Sequence, residues 1–187
     1  MYANGRTTGI VCDSGDGVTH TVPVYEGFCI PHAVKKNFIA GRAITSHLNE
    51  LLIKDNIADP SSGASTAWKQ IVRTIKEDCC YVALDPIAER EKAANSAMLV
   101  KDYELPDGQT VQINTPRFMA PEALFYPDLI REGDETLGMH KMVFESVKEC
   151  DIDIRKELYG NIILSGGSSL YNGLPDRLLN EVDALCP

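Results

Sequence analysis

Two rhythms of apolar residues run along this chain. The first is the rhythm of strands. Ile10, Val11 and Cys12 form a short apolar run, and residues 18–25 then alternate. Thr19, Thr21 and Pro23 fall on one face of that second segment, and His20, Val22 and Val24 on the other. Residues 13–17 read as a tight turn between the two. Glu26-Gly27 turns the chain again, and Phe28-Cys29-Ile30, stopped by Pro31, completes a three-stranded antiparallel meander. Further on, residues 81–84 read as a short strand ended by Asp85-Pro86. Residues 101–105 and 110–113 flank Pro106-Asp107-Gly108, a strong hairpin signal. Asn161-Ile162-Ile163-Leu164 reads as a buried strand.

The second rhythm is helical. After Gly41, Ile44, Leu48, Leu51 and Leu52 recur at i, i+4, i+7 and i+8, which predicts an amphipathic helix. A polar loop over 55–65, with Pro60 and Gly63, separates it from the next. There Ser65 or Thr66 supplies a cap and Trp68, Ile71, Val72, Ile75 and Cys79 supply a buried face. Residues 87–97 are helix-prone, and Pro121 opens a short helix over 121–125. Residues 126–137 are charged and irregular. Met139, Val143, Phe144 and Val147 mark a further helix, residues 154–159 a short one started by Asp151 and Asp153, and Leu174, Leu178, Val182 and Leu185 the last. The opening meander and the closing helix–strand–helix can share one sheet, with residues 40–132 inserted as a smaller lobe.

Composition narrows the function. The 187 residues are 44% hydrophobic and 24% charged, enough for a core in one domain or two small lobes. The formal net charge of -9 argues against nucleic acid and against anionic membranes as partners. A phosphate ligand would have to be held locally, by backbone N–H groups, a cation and a few basic side chains. Six cysteines show no CxxC spacing, which disfavours zinc and a disulfide framework and suits a reducing, cytoplasmic setting.

Against that background the turn carrying Asp13, Gly15, Asp16 and Gly17 stands out. A simple hairpin needs one Asn-Gly or Asp-Gly pair, yet this turn has two carboxylates and two glycines. Glycines let several N–H groups converge on an anion. The carboxylates then require a divalent cation between them and that anion. The plain alternative is a solvated hairpin turn. A second glycine loop, Ser165-Gly166-Gly167-Ser168, leaves the end of the late strand, the kind of strand end that ligands in sheet folds favour. Arg73, Lys76 and Glu77 on one helix would add a third wall, or merely a solvated charged face. Gly41 is a close-approach position, and His20 beside the acidic turn could orient a water.

Longer stretches resemble a known family. The run Gly9-Ile10-Val11-Cys12-Asp13-Ser14-Gly15-Asp16-Gly17-Val18-Thr19-His20, continuing through Pro31-His32, is very similar to actin. So are Ile75-Lys76-Glu77, Cys80-Tyr81-Val82-Ala83-Leu84-Asp85, Tyr103-Glu104-Leu105-Pro106-Asp107-Gly108, Arg117-Phe118 with Pro121-Glu122-Ala123-Leu124-Phe125, Cys150-Asp151-Ile152-Asp153-Ile154-Arg155-Lys156 and Leu164-Ser165-Gly166-Gly167. The resemblance covers essentially the whole chain. It implies an α/β fold, a ribonuclease-H-like (actin-like ATPase) domain with an inserted small α+β lobe. Residues 1–39 and 133–187 would form the base of one of the family's two large domains, and residues 40–132 the lobe.

The resemblance further implies ATP or ADP with Mg2+ or Ca2+ in a cleft. Asp13, Gly15, Asp16, Gly17 and Val18 would form its second phosphate loop. Asp13 would lie near the cation, through water, and His20 would help place the attacking water. Gly41, Arg73, Lys76 and Glu77 would line the adenosine side, and Gly166, Gly167, Leu170 and Tyr171 would approach the nucleotide. Leu170 stands where the family usually has methionine, and residues 129–135 are more charged than the family's plug. The family's first phosphate loop and its water-positioning glutamine are not among these residues, and a further strand with an adenine-contacting lysine would follow Pro187. The expectation is a cytoskeletal protein that binds nucleotide weakly or not at all as an isolated chain, without hydrolysis or ordinary filaments. Its partners would be actin or actin-binding proteins, with self-association through exposed apolar surface. A non-enzymatic module that binds actin, or a fragment of a longer actin, are the alternatives.

Overall fold

The structure is a computed structural model that describes residues 5–59, 65–130, 133 and 135–186. The loop positions Pro60 and Gly63, the plug residues Arg131, Glu132 and Asp134, and Pro187 lie outside the described residues.

The sheet is built outward from the first strand. β1 (Gly9–Ser14) pairs antiparallel with β2 (Thr19–Tyr25), from Gly9↔Val24 to Ser14↔Thr19. β2 carries β3 (Phe28–Cys29) and β4 (Lys35–Asn37) on its far side. The other side of β1 takes β7 (Ile162–Ser165) in parallel, from Ile10↔Ile162 to Asp13↔Ser165. The first and last apolar strands thus meet although some 150 residues of chain separate them.

Four expectations for these strands change. Asp13 and Ser14 belong to β1, because their backbones pair with His20 and Thr19 and the Ser14 and Thr19 hydroxyls bond at 2.8 Å. The turn is therefore residues 15–18, closed by Gly15 N–H donating to the Val18 carbonyl at 3.0 Å. β3 ends at Cys29, because Ile30 leads into a 3-10 turn, Pro31–Ala33. β4 was invisible in the pattern, since Lys35-Lys36-Asn37 has no apolar alternation and is a strand only because β2 offers a free edge. β7 is half-exposed instead of buried, because among the described residues it pairs with β1 alone.

The threonine face of β2 is the inward one. Thr19 donates to the Ile39 carbonyl at 2.7 Å and Thr21 to the Met142 carbonyl at 3.4 Å, so burial leaves no hydroxyl unpaired. α5 (Met139–Lys148) covers this face with Met139, Met142, Val143 and Val147, while Phe144 stays half-exposed. α6 (Ile152–Tyr159) and α7 (Leu174–Leu185) complete the packing through Leu158, Leu174, Leu178 and Val182.

The same core continues into α1 (Gly41–Lys54) and α2 (Thr66–Cys79), which bury Ile44, Leu48, Leu52, Val72 and Ile75. α3 (Pro86–Asn95) starts at Asp85, whose carboxylate accepts from the Ile87 and Ala88 amides at 2.9 and 3.0 Å. β5 (Lys101–Glu104) and β6 (Thr110–Ile113) form the expected hairpin, with Gly108 at φ +83°. α4 (Pro116–Glu122) begins five residues earlier than its proline signal suggested, with Pro116 at its start and Pro121 inside. Pro121 has no N–H for the Arg117 carbonyl, which accepts from Tyr81 instead at 3.1 Å. Val82 donates to Asn172 at 2.9 Å. Residues 81–84 are thus extended but form no strand, being held between a helix and a loop with no strand alongside.

A buried ion cluster joins the elements. Arg177 of α7 is 2% exposed and forks onto Glu122 of α4 at 2.7 and 3.2 Å. It also donates to Glu181 and to the Ala83 carbonyl, both at 2.7 Å, and lies 4.9 Å from the Phe125 ring centre. Arg177→Met strands the Glu122 carboxylate and is expected to cost about 3–5 kcal/mol in urea unfolding. Pairing it with Glu122→Leu should restore most of that loss.

His140 packs beside Phe125 and Tyr126, with ring centres 5.7 and 5.8 Å away, and burial lowers its pKa despite nearby Glu181. Burial lowers His47 likewise, against the pull of Glu50. The unfolded chain then binds more protons, so stability falls as pH drops below about 6.5. Melting temperature should be lower at pH 5.5 than at pH 7.5, and His140→Phe should flatten that slope.

Candidate functional site

The site grows from the contact between the turn at 15–18 and the start of α1. Gly41 N–H donates to the Gly15 carbonyl at 3.0 Å, and Arg42 N–H to the Asp16 carbonyl at 2.8 Å. The Arg42 guanidinium reinforces this by reaching the Asp16 carboxylate at 2.9 Å. The first amides of α1, which a helix start leaves free, are therefore occupied by the turn. Among the described residues, the amides of Asp16, Gly17 and Val18 have no acceptor. The turn presents these donors while its Gly15, Asp16 and Val18 carbonyls are engaged, an arrangement like that of an anion nest.

Gly41 lies close to the turn. A Cβ there would lie 3.2 Å from the Gly15 carbonyl oxygen and 3.4 Å from both the Asp16 Cα and Lys76 Nζ. Lys76 is buried, not on a solvated face. Its ammonium donates to the Gly41 carbonyl at 3.0 Å and to Thr45 Oγ1 at 3.1 Å, and burial lowers its pKa. One turn away, Arg73 pairs with Glu77 at 3.0 Å on the exposed surface. The end of α2 that carries Lys76 and Glu77 is itself held, because Lys101 donates to the Asp78 carbonyl at 2.6 Å and Arg117 to the Cys79 carbonyl at 2.9 Å.

The second glycine loop arrives from β7. Gly166 sits at φ +85°, where a Cβ would come within 2.3 Å of the Ser14 carbonyl oxygen and 2.9 Å of Asp13 Oδ1. A 3-10 turn, Gly167–Leu170, follows, and Ser168 Oγ donates to the Gly15 carbonyl at 3.2 Å. Both glycine loops and α2 thereby border one cleft of about 480 Å³.

Of the residues singled out in the sequence, Gly15, Asp16, Gly41, Arg73, Lys76, Glu77, Gly167, Leu170 and Tyr171 line that cleft. Asp13, Gly17, Val18, His20 and Gly166 do not. Asp13 and His20 face each other across the β1–β2 ladder, His20 Nε2 standing 3.4 Å from Asp13 Oδ2 with both side chains about a third exposed. Gly166 packs beneath, on Ser14. Among the described residues no cluster of three or more His, Cys, Asp or Glu side chains is placed to hold a metal directly.

A family model described as Actin matches residues 1–187, the whole chain. The chain belongs to the actin family. Its mixed helices and strands agree with the α/β fold of an actin-like protein. Among the described residues, no helix of this actin-family chain is long and apolar enough to cross a membrane.

Sequence reasoning did not single out Asp78, Cys80, Ser168 and Asn172 as residues lining this cleft. Burial pushes the Cys80 thiol up to about 12, so it lines the cleft uncharged. The Tyr171 hydroxyl, buried with no hydrogen-bond partner among the described residues, also has its pKa raised by burial. A polar residue directly after a glycine pair was the available signal for Ser168. Asp78 and Asn172 carry no sequence signal, since only the packing of α2 against the loop after Leu170 puts them there.

The glycines make a graded test. Gly166→Ala meets both a left-handed backbone and the Ser14 carbonyl and should destabilise by at least about 2 kcal/mol. Gly41→Ala should cost less, because its neighbours need yield only a few tenths of an ångström. Gly17→Ala, with nothing within 4 Å, should leave the urea midpoint within error of the parent.

Proposed function

We propose that this actin-family chain is an actin-like cytoskeletal protein that holds ATP or ADP, with Mg2+ or Ca2+, in the cleft between its two glycine loops. The observation that carries this reading is the set of unpaired amides at Asp16, Gly17 and Val18. Asp16 borders the cleft, with Gly17 and Val18 next to it in the turn, and Gly167 and the ammonium of Lys76 line the same cleft. That donor set suits a polyphosphate. The adjacent carboxylates of Asp13 and Asp16 suit it only with a divalent cation, which Asp13 would hold through water. Gly41, Arg73 and Glu77 would meet the adenosine portion, and Gly166, Leu170 and Tyr171 would approach the nucleotide from the second glycine loop and the residues after it. The organisation that goes with this reading is a ribonuclease-H-like base formed by residues 1–39 and 133–187, with residues 40–132 as an inserted lobe.

The nucleotide, when bound, supplies the phosphoanhydride chemistry. The chain's own part is to bind and orient. His20, whose Nε2 stands 3.4 Å from Asp13 Oδ2, is the residue that would orient a water. Phosphoryl transfer needs the charge that develops in the transition state to be met from several sides. Among the residues lining this cleft the cationic side chains are Arg73, paired with Glu77, and Lys76, already engaged by Gly41 and Thr45. We therefore read the 187-residue polypeptide as a weak binder without turnover, cytoplasmic in setting.

The second reading is an interaction module that binds actin or actin-binding proteins without nucleotide. It is favoured by Phe28 and Ile152, large apolar side chains 79% and 75% exposed. Titration with ATP and Mg2+ should show saturable binding, and phosphate release should stay at the buffer rate. Actin-like turnover would overturn the hydrolysis reading, and no binding at millimolar ATP would overturn the nucleotide reading. In polymerising salt the chain should remain in the high-speed supernatant. Co-pelleting with actin filaments independent of ATP would favour the interaction module.

A further inference from the structure

The Gly15 carbonyl is the meeting point of three segments that are remote in sequence. It accepts from the Gly41 amide of α1 at 3.0 Å and from the Ser168 hydroxyl of the second glycine loop at 3.2 Å. Ser168 is 7% exposed. The loop that carries it is pinned at one end by Gly166, which admits no side chain against Ser14. It is pinned internally by Ser169, whose hydroxyl donates to the Gly166 carbonyl at 2.7 Å. The Ser168 hydroxyl is thus delivered to Gly15 by a rigid mount.

A trans peptide is planar, and its C=O and N–H point in opposite directions. Holding the Gly15 carbonyl therefore also aims the Asp16 N–H, the first of the three unpaired donors. The turn needs such a hold. Gly15 and Gly17 leave the backbone free to rotate at two of its four residues, so the Gly15–Asp16 peptide could turn over and present a carbonyl where the amide stands.

We propose that Ser168 is a positioning residue that fixes the Gly15–Asp16 peptide so that the Asp16 amide faces the ligand's phosphate, coupling the two glycine loops. The assignment rests on the nucleotide reading of the cleft. It gives Ser168 a selective role, because its hydroxyl acts on the phosphate-binding turn and leaves the adenosine side untouched.

The test uses the 187-residue chain, its Ser168→Ala and Ser168→Thr variants, and ATP, ADP and adenosine as probes in calorimetric titration with Mg2+. Thermal unfolding confirms that each variant is folded. Ser168→Ala should weaken ATP and ADP about five-fold, the worth of one ordinary hydrogen bond, and leave adenosine unchanged. Ser168→Thr, which keeps the hydroxyl, should match the parent. Equal affinity for ATP in Ser168→Ala, an equal loss for adenosine, or a threonine variant as weak as the alanine one would each overturn the assignment. Amide hydrogen exchange supplies a readout without nucleotide. Ser168→Ala should speed exchange at Gly41, which shares the same acceptor, and unchanged exchange there also overturns the assignment. A parent chain that takes none of the three probes sinks the nucleotide reading itself, whereas a parent that binds ATP beside an indifferent Ser168→Ala sinks the Ser168 assignment alone.

Discussion

Two backbone hydrogen bonds, from Gly41 to Gly15 and from Arg42 to Asp16, hold this structure's cleft in shape. They solve two problems together. The start of a helix leaves amides without partners, and a tight turn leaves carbonyls without partners. Docking one on the other satisfies both and joins the sheet to the helices of residues 40–132. The contact brings the two backbones close at Gly41, where a Cβ would lie 3.2 Å from the Gly15 carbonyl oxygen. It also decides the chemistry. With the Gly15 and Asp16 carbonyls engaged by α1, the amides of Asp16, Gly17 and Val18 are the donors the turn has left.

The surrounding framework is polar where a simple core would be apolar. Thr19 and Thr21 point into the protein because α5 and the Ile39 segment offer carbonyls to their hydroxyls. Arg177 is buried with Glu122, Glu181 and the Ala83 carbonyl around it. Such groups are costly unless fully paired, so they tolerate one arrangement of neighbours. The Arg177 cluster holds α4, α7 and residues 81–84 in register, and that register brings Asn172 and Tyr171 against the end of α2. Lys76 then follows the same logic at smaller scale. It is buried because Gly41 and Thr45 accept its protons, not because a helical face was left for solvent.

Much of this could be read along the chain. The strands β1 and β2, the amphipathic faces of α1 and α2, and the hairpin around Gly108 follow from short-range alternation and turn chemistry. The readings that failed depend on neighbours far away in sequence. Lys35-Lys36-Asn37 is a strand only because β2 has an open edge. Residues 81–84, though apolar enough for a strand, pair with the Arg117 carbonyl freed by Pro121 and with Asn172 instead. At the site, the glycines and Lys76 were legible as residue types, while Ser168 gained meaning only when its hydroxyl was seen at Gly15.

By itself, then, the sequence determined the actin family, the order of elements, and the two glycine loops. These are local properties, set by residues within a few positions of one another. Tertiary structure alone decided that the loops meet at one carbonyl, that Asp16, Gly17 and Val18 keep free amides, and that Lys76 lies buried beside them. Those outcomes depend on β7 pairing in parallel with β1 across some 150 residues. A long-range pairing of that kind leaves no periodic trace, because the partners are chosen by the packing of everything between them.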